Sequence, residues 1–83
     1  MFQTVSSVEP LADFRLLVGF NNGNKKIYDV KPLFSKWAVF KTLENVPGIF
    51  RCVQVDTGGY GVVWNDEIDL SCNELWEGGT LCQ

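Results

Sequence analysis

Apolar positions along this chain fall into three blocks, each closed by glycine, asparagine or proline. In the first, residues 14–30, the dipeptide Asn22-Gly23 divides two runs rich in Leu, Val, Ile and Phe. Asn-Gly tolerates the positive φ needed at both centres of a type I′ turn, so the pattern predicts paired strands over 14–21 and 24–30. A two-residue loop sets Val18 opposite Ile27, Leu16 opposite Asp29 and Leu17 opposite Tyr28. Both faces of that hairpin then carry apolar groups, which calls for a covering segment or a partner on the second face. Ahead of it, Thr4 to Val8 reads as an edge strand ended by Pro10.

The period changes in the second block. Pro32 suits the first position of a helix, and Leu33, Trp37, Phe40 and Leu43 recur at helical spacing. The spacing predicts a helix over 32–44, broken near Trp37, and stopped by Asn45, Pro47 and Gly48. Its aromatic stripe of Phe34, Trp37 and Phe40 is expected to face the sheet as core.

The third block repeats the hairpin logic with Gly58-Gly59 as the two turn residues. Val55 then faces Val62 and Val53 faces Trp64, while Gly61 stands opposite Asp56 with bare backbone for a close approach. After a bend at Asn65-Asp66, Ile68 and Leu70 continue the alternation. Ser71-Cys72-Asn73-Glu74 has the form of a capping box, in which Ser71 and Glu74 satisfy each other's free backbone donors. Leu75 and Trp76 follow on one or two helical turns that Gly78-Gly79 ends. The expected fold class is α+β: a small antiparallel sheet of two hairpins with an N-terminal edge strand, packed on a central helix, and a short C-terminal helix. With 83 residues there is room for a single domain, 1–83.

Composition narrows function by exclusion. Seven Lys and Arg stand against ten Asp and Glu, for a formal charge of −3, and the cations are scattered from Arg15 to Arg51. No basic patch is available to neutralise phosphates, so nucleic acid is not expected as a direct partner. The chain has no histidine, which removes Ser-His-Asp, Cys-His and zinc-His chemistry. Cys52, Cys72 and Cys82 make no C-x-x-C pair and are odd in number, the pattern of a reduced, cytoplasmic chain. The first ten residues lack a signal peptide's basic and apolar regions, and no apolar run approaches the roughly 20 residues of a membrane helix.

Two groups of residues are candidates for binding. Asp66, Glu67 and Asp69 offer oxygen ligands but lack the spacing of a calcium loop, and an extended segment turns Asp66 and Glu67 to opposite faces; a solvated turn is expected, with no metal. Tyr28, Tyr60 and Trp64 are the residue types that dominate binding sites when exposed, and with Asp66 or Glu67 as a polar anchor they would line a small-ligand pocket. Gly58, Gly59 and Gly61 do not form a phosphate-binding motif. Cys72 would be nucleophilic only at a thiolate-stabilising helix start, and is expected to be core. No base-and-orienter pair, cofactor motif or catalytic residue is identified, so the chain is not expected to be an enzyme.

From the Lys-Pro-Leu-Phe run at 31–34, through Val-Phe-Lys-Thr-Leu at 39–43, to the string 55–79, the chain resembles the bacterial domain of unknown function family 2442. The similarity spans about residues 4–79, and Trp64 to Leu70 is its most specific part. It implies a small α+β fold and brings no catalytic residues. Some relatives carry a C-terminal helix-turn-helix domain, and others are encoded beside a second small family, which implies a regulatory or antitoxin-like role that an acidic chain suits. Two functions are therefore expected ahead of catalysis: a protein-interaction module whose partner is another protein or a second copy of itself, and a small-ligand domain.

Overall fold

The computed structural model describes residues 3–46 and 48–82. Their seven strands make two antiparallel sheets. The first has the order β1-β2-β3-β7, with β1 Val5–Leu11, β2 Arg15–Phe20, β3 Lys25–Asp29 and β7 Thr80–Leu81. The second is the meander β4-β5-β6, with β4 Gln54–Val55, β5 Gly61–Asn65 and β6 Ile68–Ser71. Helices α1 Leu33–Lys36 and α2 Lys41–Asn45 connect the sheets in sequence, and α3 Cys72–Gly78 leads from β6 to β7. The class is α+β, but the two hairpins belong to separate sheets and not to one.

The loop at Asn22-Gly23 sets the register of the first sheet, and it differs from the expected one. Gly23 N–H donates to Phe20 O at 3.0 Å and Phe20 N–H to Asn24 O at 2.9 Å, so the loop holds three residues, with Gly23 at φ +89°. This is the three-residue hairpin that ends on a left-handed glycine. The register consequently slips by one: Leu16 faces Tyr28, Leu17 faces Ile27 and Val18 faces Lys26. A one-residue slip exchanges the faces of one strand. Here it gathers Leu16, Val18, Phe20 and Tyr28 on the buried face and keeps the Asp29 carboxylate off it. Burying that charge is the cost the expected pairing would have carried. On the outer face the apolar surface contracts to the half-buried pair Leu17 and Ile27, flanked by Glu9 and Thr80.

Strand β1 runs past Pro10, which pairs with Leu16, instead of ending there. It is tolerated because β1 is an edge strand, where a missing N–H need leave no ladder partner unsatisfied. The second hairpin keeps its predicted register, Val55 opposite Val62, although its loop has four residues, 57–60. Two- and four-residue loops share a midpoint, so the wrong loop length left the pairing unchanged. A Cβ on Gly61 would collide with the Leu70 carbonyl, the close approach expected of that bare backbone. Asp66-Glu67 is a tight turn: Asn65 Oδ1 accepts from the N–H groups of Glu67 at 2.8 Å and Ile68 at 3.0 Å. Ile68 and Leu70 thus enter a third strand of the sheet.

The central helix is broken as expected, and more completely. Trp37 has extended angles, φ −131° and ψ 117°, between α1 and a 3-10 turn over Ala38–Phe40 that runs into α2. One extended residue resets the helical phase, so Leu33, Phe34, Phe40 and Leu43 turn inward while Trp37 points out, 53% exposed. Its assignment to the core stripe is corrected accordingly. Pro47, part of the expected helix stop, lies outside the described residues; α2 ends with Val46 N–H donating to Thr42 O.

A chain of ring contacts joins these parts. Phe14 meets Phe34 and Phe50 edge-on, each at 5.2 Å between centroids, and Trp64 lies 6.1 Å from Phe50 and 6.2 Å from Phe40. Trp64 Nε1–H donates to Phe50 O at 3.0 Å. Phe14 is held at φ +55°, a conformation bulky residues rarely adopt, where its ring fits between α1 and the 3-10 turn Phe50–Cys52. A domain this long has on the order of 4–12 kcal/mol of net stability. Truncating a buried Trp costs about 3–5 kcal/mol, so Trp64→Ala is expected to bring unfolding close to ambient conditions. Trp64→Phe, which keeps a ring but leaves the Phe50 carbonyl unpaired, should cost about 1–3 kcal/mol. Urea titration followed by circular dichroism orders the two; equal midpoints would show that the hydrogen bond and not the ring carries the contact.

Candidate functional site

The five residues singled out for binding do not converge. Tyr28 is buried, its hydroxyl donating to Glu74 Oε2 at 2.8 Å, and Trp64 is buried in the ring chain. Tyr60, the loop residue immediately before β5, is 71% exposed. Asp66 and Glu67 are exposed at the other end of that strand, on the β5–β6 turn. Five residues of strand span roughly 17 Å, which separates Tyr60 from its supposed acidic anchor. The pocket expected from Tyr28, Tyr60, Trp64, Asp66 and Glu67 is therefore not formed, because alternation along β3 and β5 sends Tyr28 and Trp64 into the core. Among the described residues no group of three or more Cys, Asp or Glu is placed to hold a metal ion.

What the fold does assemble lies around α3. Ser71 caps the helix, its hydroxyl accepting from Glu74 N–H at 3.1 Å. Glu74 does not complete the expected capping box; its carboxylate takes the Tyr28 hydroxyl instead. Leu75 is fully buried, Trp76 meets Phe20 edge-on at 5.0 Å, and Lys26 Nζ sits 3.9 Å from the Trp76 ring centroid while donating to its carbonyl. These contacts pin α3 across β2 and β3. Gly79 N–H then donates to Leu75 O, and the chain turns back to lay β7 beside β3. Sequence reasoning missed β7 because two exposed residues show no alternation.

A cleft opens on each flank of α3. One, of about 560 Å³, is lined by Tyr60, Cys72, Asn73, Trp76 and Glu77. The other, of about 340 Å³, is lined by Trp37, Phe40, Leu70, Asp69 and Glu74, with Lys36 at its rim. Ser71 belongs to both. Each cleft thus has one largely exposed aromatic ring beside acidic lining: Tyr60 with Glu77 of α3, and Trp37 with Asp69 of β6 and Glu74 of α3. Trp37 was missed as a surface residue, and its signal was the predicted helix break. The Cys72 thiol is not aimed at chemistry: it is buried, donates to Gln3 O at 3.0 Å, and burial raises its pKa. A thiol so placed is a poor nucleophile.

A family model described as a protein of unknown function (DUF2442) matches residues 5–80. The chain belongs to that family. Comparison with curated proteins and with solved structures found no match. The description of DUF2442 names no activity, so membership of the family assigns no chemistry to any residue of this chain. Among the described residues no helix is long and apolar enough to cross a membrane.

The Tyr28–Glu74 contact makes an alkaline prediction. Burial first, and then the hydrogen bond and charge of Glu74, push the Tyr28 pKa well above its ordinary value. Because the folded pKa is raised, the contact's stabilisation is fully present below the unfolded tyrosine pKa of about 10 and fades as pH rises beyond it. Tyr28→Phe should cost about 0.5–1.5 kcal/mol at neutral pH and lose less stability than the parent above pH 10. Thermal melts across that range test this; parallel decline in both proteins would mean that Tyr28 is not the titrating group.

Proposed function

We propose that this DUF2442 chain is a protein-interaction module, acting as the regulatory or neutralising half of a two-protein system, and not an enzyme. The observation that carries the reading is the pair of exposed rings, Trp37 and Tyr60, standing over clefts on opposite flanks of one short helix. Exposed Trp and Tyr beside concave surface are the usual anchors of protein interfaces. Both are held by backbone whose conformation is fixed by the fold: Trp37 by the break between α1 and the next 3-10 turn, Tyr60 by its carbonyl accepting the Cys72 N–H at 2.7 Å. The three cysteines are free, as suits a reducing, cytoplasmic setting. Against catalysis stand the lack of histidine and the burial of Cys72.

A second reading is favoured by the size of the Tyr60 cleft. At about 560 Å³ it falls in the range of small-molecule sites, and a ligand there would rest on Tyr60 and Trp76, not on the acidic turn. The two readings separate in one set of experiments. Tagged protein is used to capture partners from a native-host lysate, in parallel with Trp37→Ser and Tyr60→Ser, while a metabolite thermal-shift screen is run on all three. The interaction reading expects a partner retained by the parent and lost from both variants. Capture undiminished by both substitutions, or none by the parent together with a ligand shift that Tyr60→Ser abolishes, would overturn it.

A further inference from the structure

Charge along this chain is segregated, and the fold brings part of the acidic half together beside α3. All seven Lys and Arg lie at or before Arg51, where four carboxylates leave a formal +3. From residue 52 onward there is no Lys or Arg, and Asp56, Asp66, Glu67, Asp69, Glu74 and Glu77 give a formal −6. The acidic half builds β4, β5, β6 and α3. Three of its carboxylates line the clefts beside α3: Glu77 with Tyr60, and Asp69 and Glu74 with Trp37. The lone cation among the described residues lining either cleft is Lys36, whose ammonium already lies 5.8 Å from the Trp37 ring centroid.

Resting on the interaction reading, we propose that the α3 face docks a cationic segment of a partner protein, in which arginine alternates with apolar residues along both flanks of the helix. The apolar residues enter the clefts against Trp76 on one side and Phe40 and Leu70 on the other. The guanidinium groups stack on the exposed faces of Tyr60 and Trp37 while pairing with Glu77 and Asp69. Arginine is the residue that satisfies both demands, since its planar cation stacks on aromatic rings and pairs with carboxylates through fixed donors. A cation already rests on an aromatic ring within the molecule, where the Lys26 ammonium covers the Trp76 ring.

Charge complementarity also decides against other occupants. A second copy related by a twofold axis would bring the patch that carries Asp69, Glu74 and Glu77 against an identical acidic patch, because an isologous interface pairs a patch with itself. Like charges brought together in that way are unfavourable. Phosphate groups of a nucleic acid would meet the same repulsion.

The probes are two fluorescein-labelled peptides of the repeats Arg-Leu-Ser and Glu-Leu-Ser, followed by fluorescence polarisation. The parent chain is compared with the double variant Trp37→Ser/Tyr60→Ser, which keeps every charge, and with Asp69→Asn/Glu77→Gln, which keeps both rings; circular dichroism confirms that each is folded. The expected result is binding of the arginine peptide alone, weakened by added salt and reduced about tenfold or more in each double variant, as for the loss of interface anchors. Full affinity in the ring-less variant would reduce the effect to unspecific charge and overturn the proposal. Equal or tighter binding of the glutamate peptide overturns the cationic partner while leaving the interaction module standing. Failure of the parent to bind the arginine peptide also overturns it, and the lysate capture described above then decides the broader reading separately. A concentration-dependent dimer that either double variant dissolves would assign the face to a second copy instead.

Discussion

The contact on which this domain depends is the chain of rings Phe34–Phe14–Phe50–Trp64–Phe40. Its members come from the β1–β2 turn, α1, the 3-10 turn before β4, the 3-10 turn before α2, and β5. No two of the helical pieces are long enough to hold themselves together, since isolated helices of four or five residues do not persist in water. Each ring pair contributes about 0.5–1.5 kcal/mol beyond its area burial. Taken together, that is comparable with the net stability of a chain this size. The interlock also offsets a local strain, because Phe14 reaches Phe34 and Phe50 from a left-handed backbone conformation that costs on the order of 1 kcal/mol.

With the second sheet anchored in this way, α3 can be short. Its seven residues are fixed by the Ser71 cap, the burial of Leu75, and the contacts of Tyr28, Phe20 and Lys26 from the first sheet. The helix therefore bridges both sheets while its remaining surface stays open, with clefts on either side. Rigidity matters to the proposed function. Rings and carboxylates held on ordered backbone lose little conformational freedom when a partner docks, so more of the contact energy appears as affinity. In the proposed interaction the carboxylates beside α3 add direction, since like charges repel and opposite charges attract across an interface.

Much of the architecture was legible because alternation and turn residues are local signals. The second hairpin was paired correctly even though its loop was two residues longer than expected, because the midpoint was the same. The first was misaligned by a single residue, because Asn-Gly fits both a two-residue turn and the last two positions of a three-residue one. Only the competition between burying Tyr28 and burying Asp29 distinguishes those registers, and that is decided by what packs on the face. Trp37 shows the same limit: its spacing belongs to the core stripe, and one extended residue removes it. For the candidate site the expected grouping does not form. Of the three aromatic residues only Tyr60 reaches the surface, and among the described residues the one carboxylate that lines its cleft is Glu77 of α3 and not Asp66 or Glu67.

By itself, the sequence determined the α+β class and the absence of histidine chemistry, and it located the two hairpins, the helix break and the Ser71 cap, which depend on residues within a few positions of one another. It also carried the segregation of acidic from basic residues, although not its meaning. Tertiary structure alone decided that the hairpins part into two sheets, that Tyr28 gives its hydroxyl to Glu74, and that Trp37 and Tyr60 stand on opposite flanks of one helix. Those outcomes turn on contacts between residues tens of positions apart, where a side chain's exposure is set by what the rest of the chain packs against it.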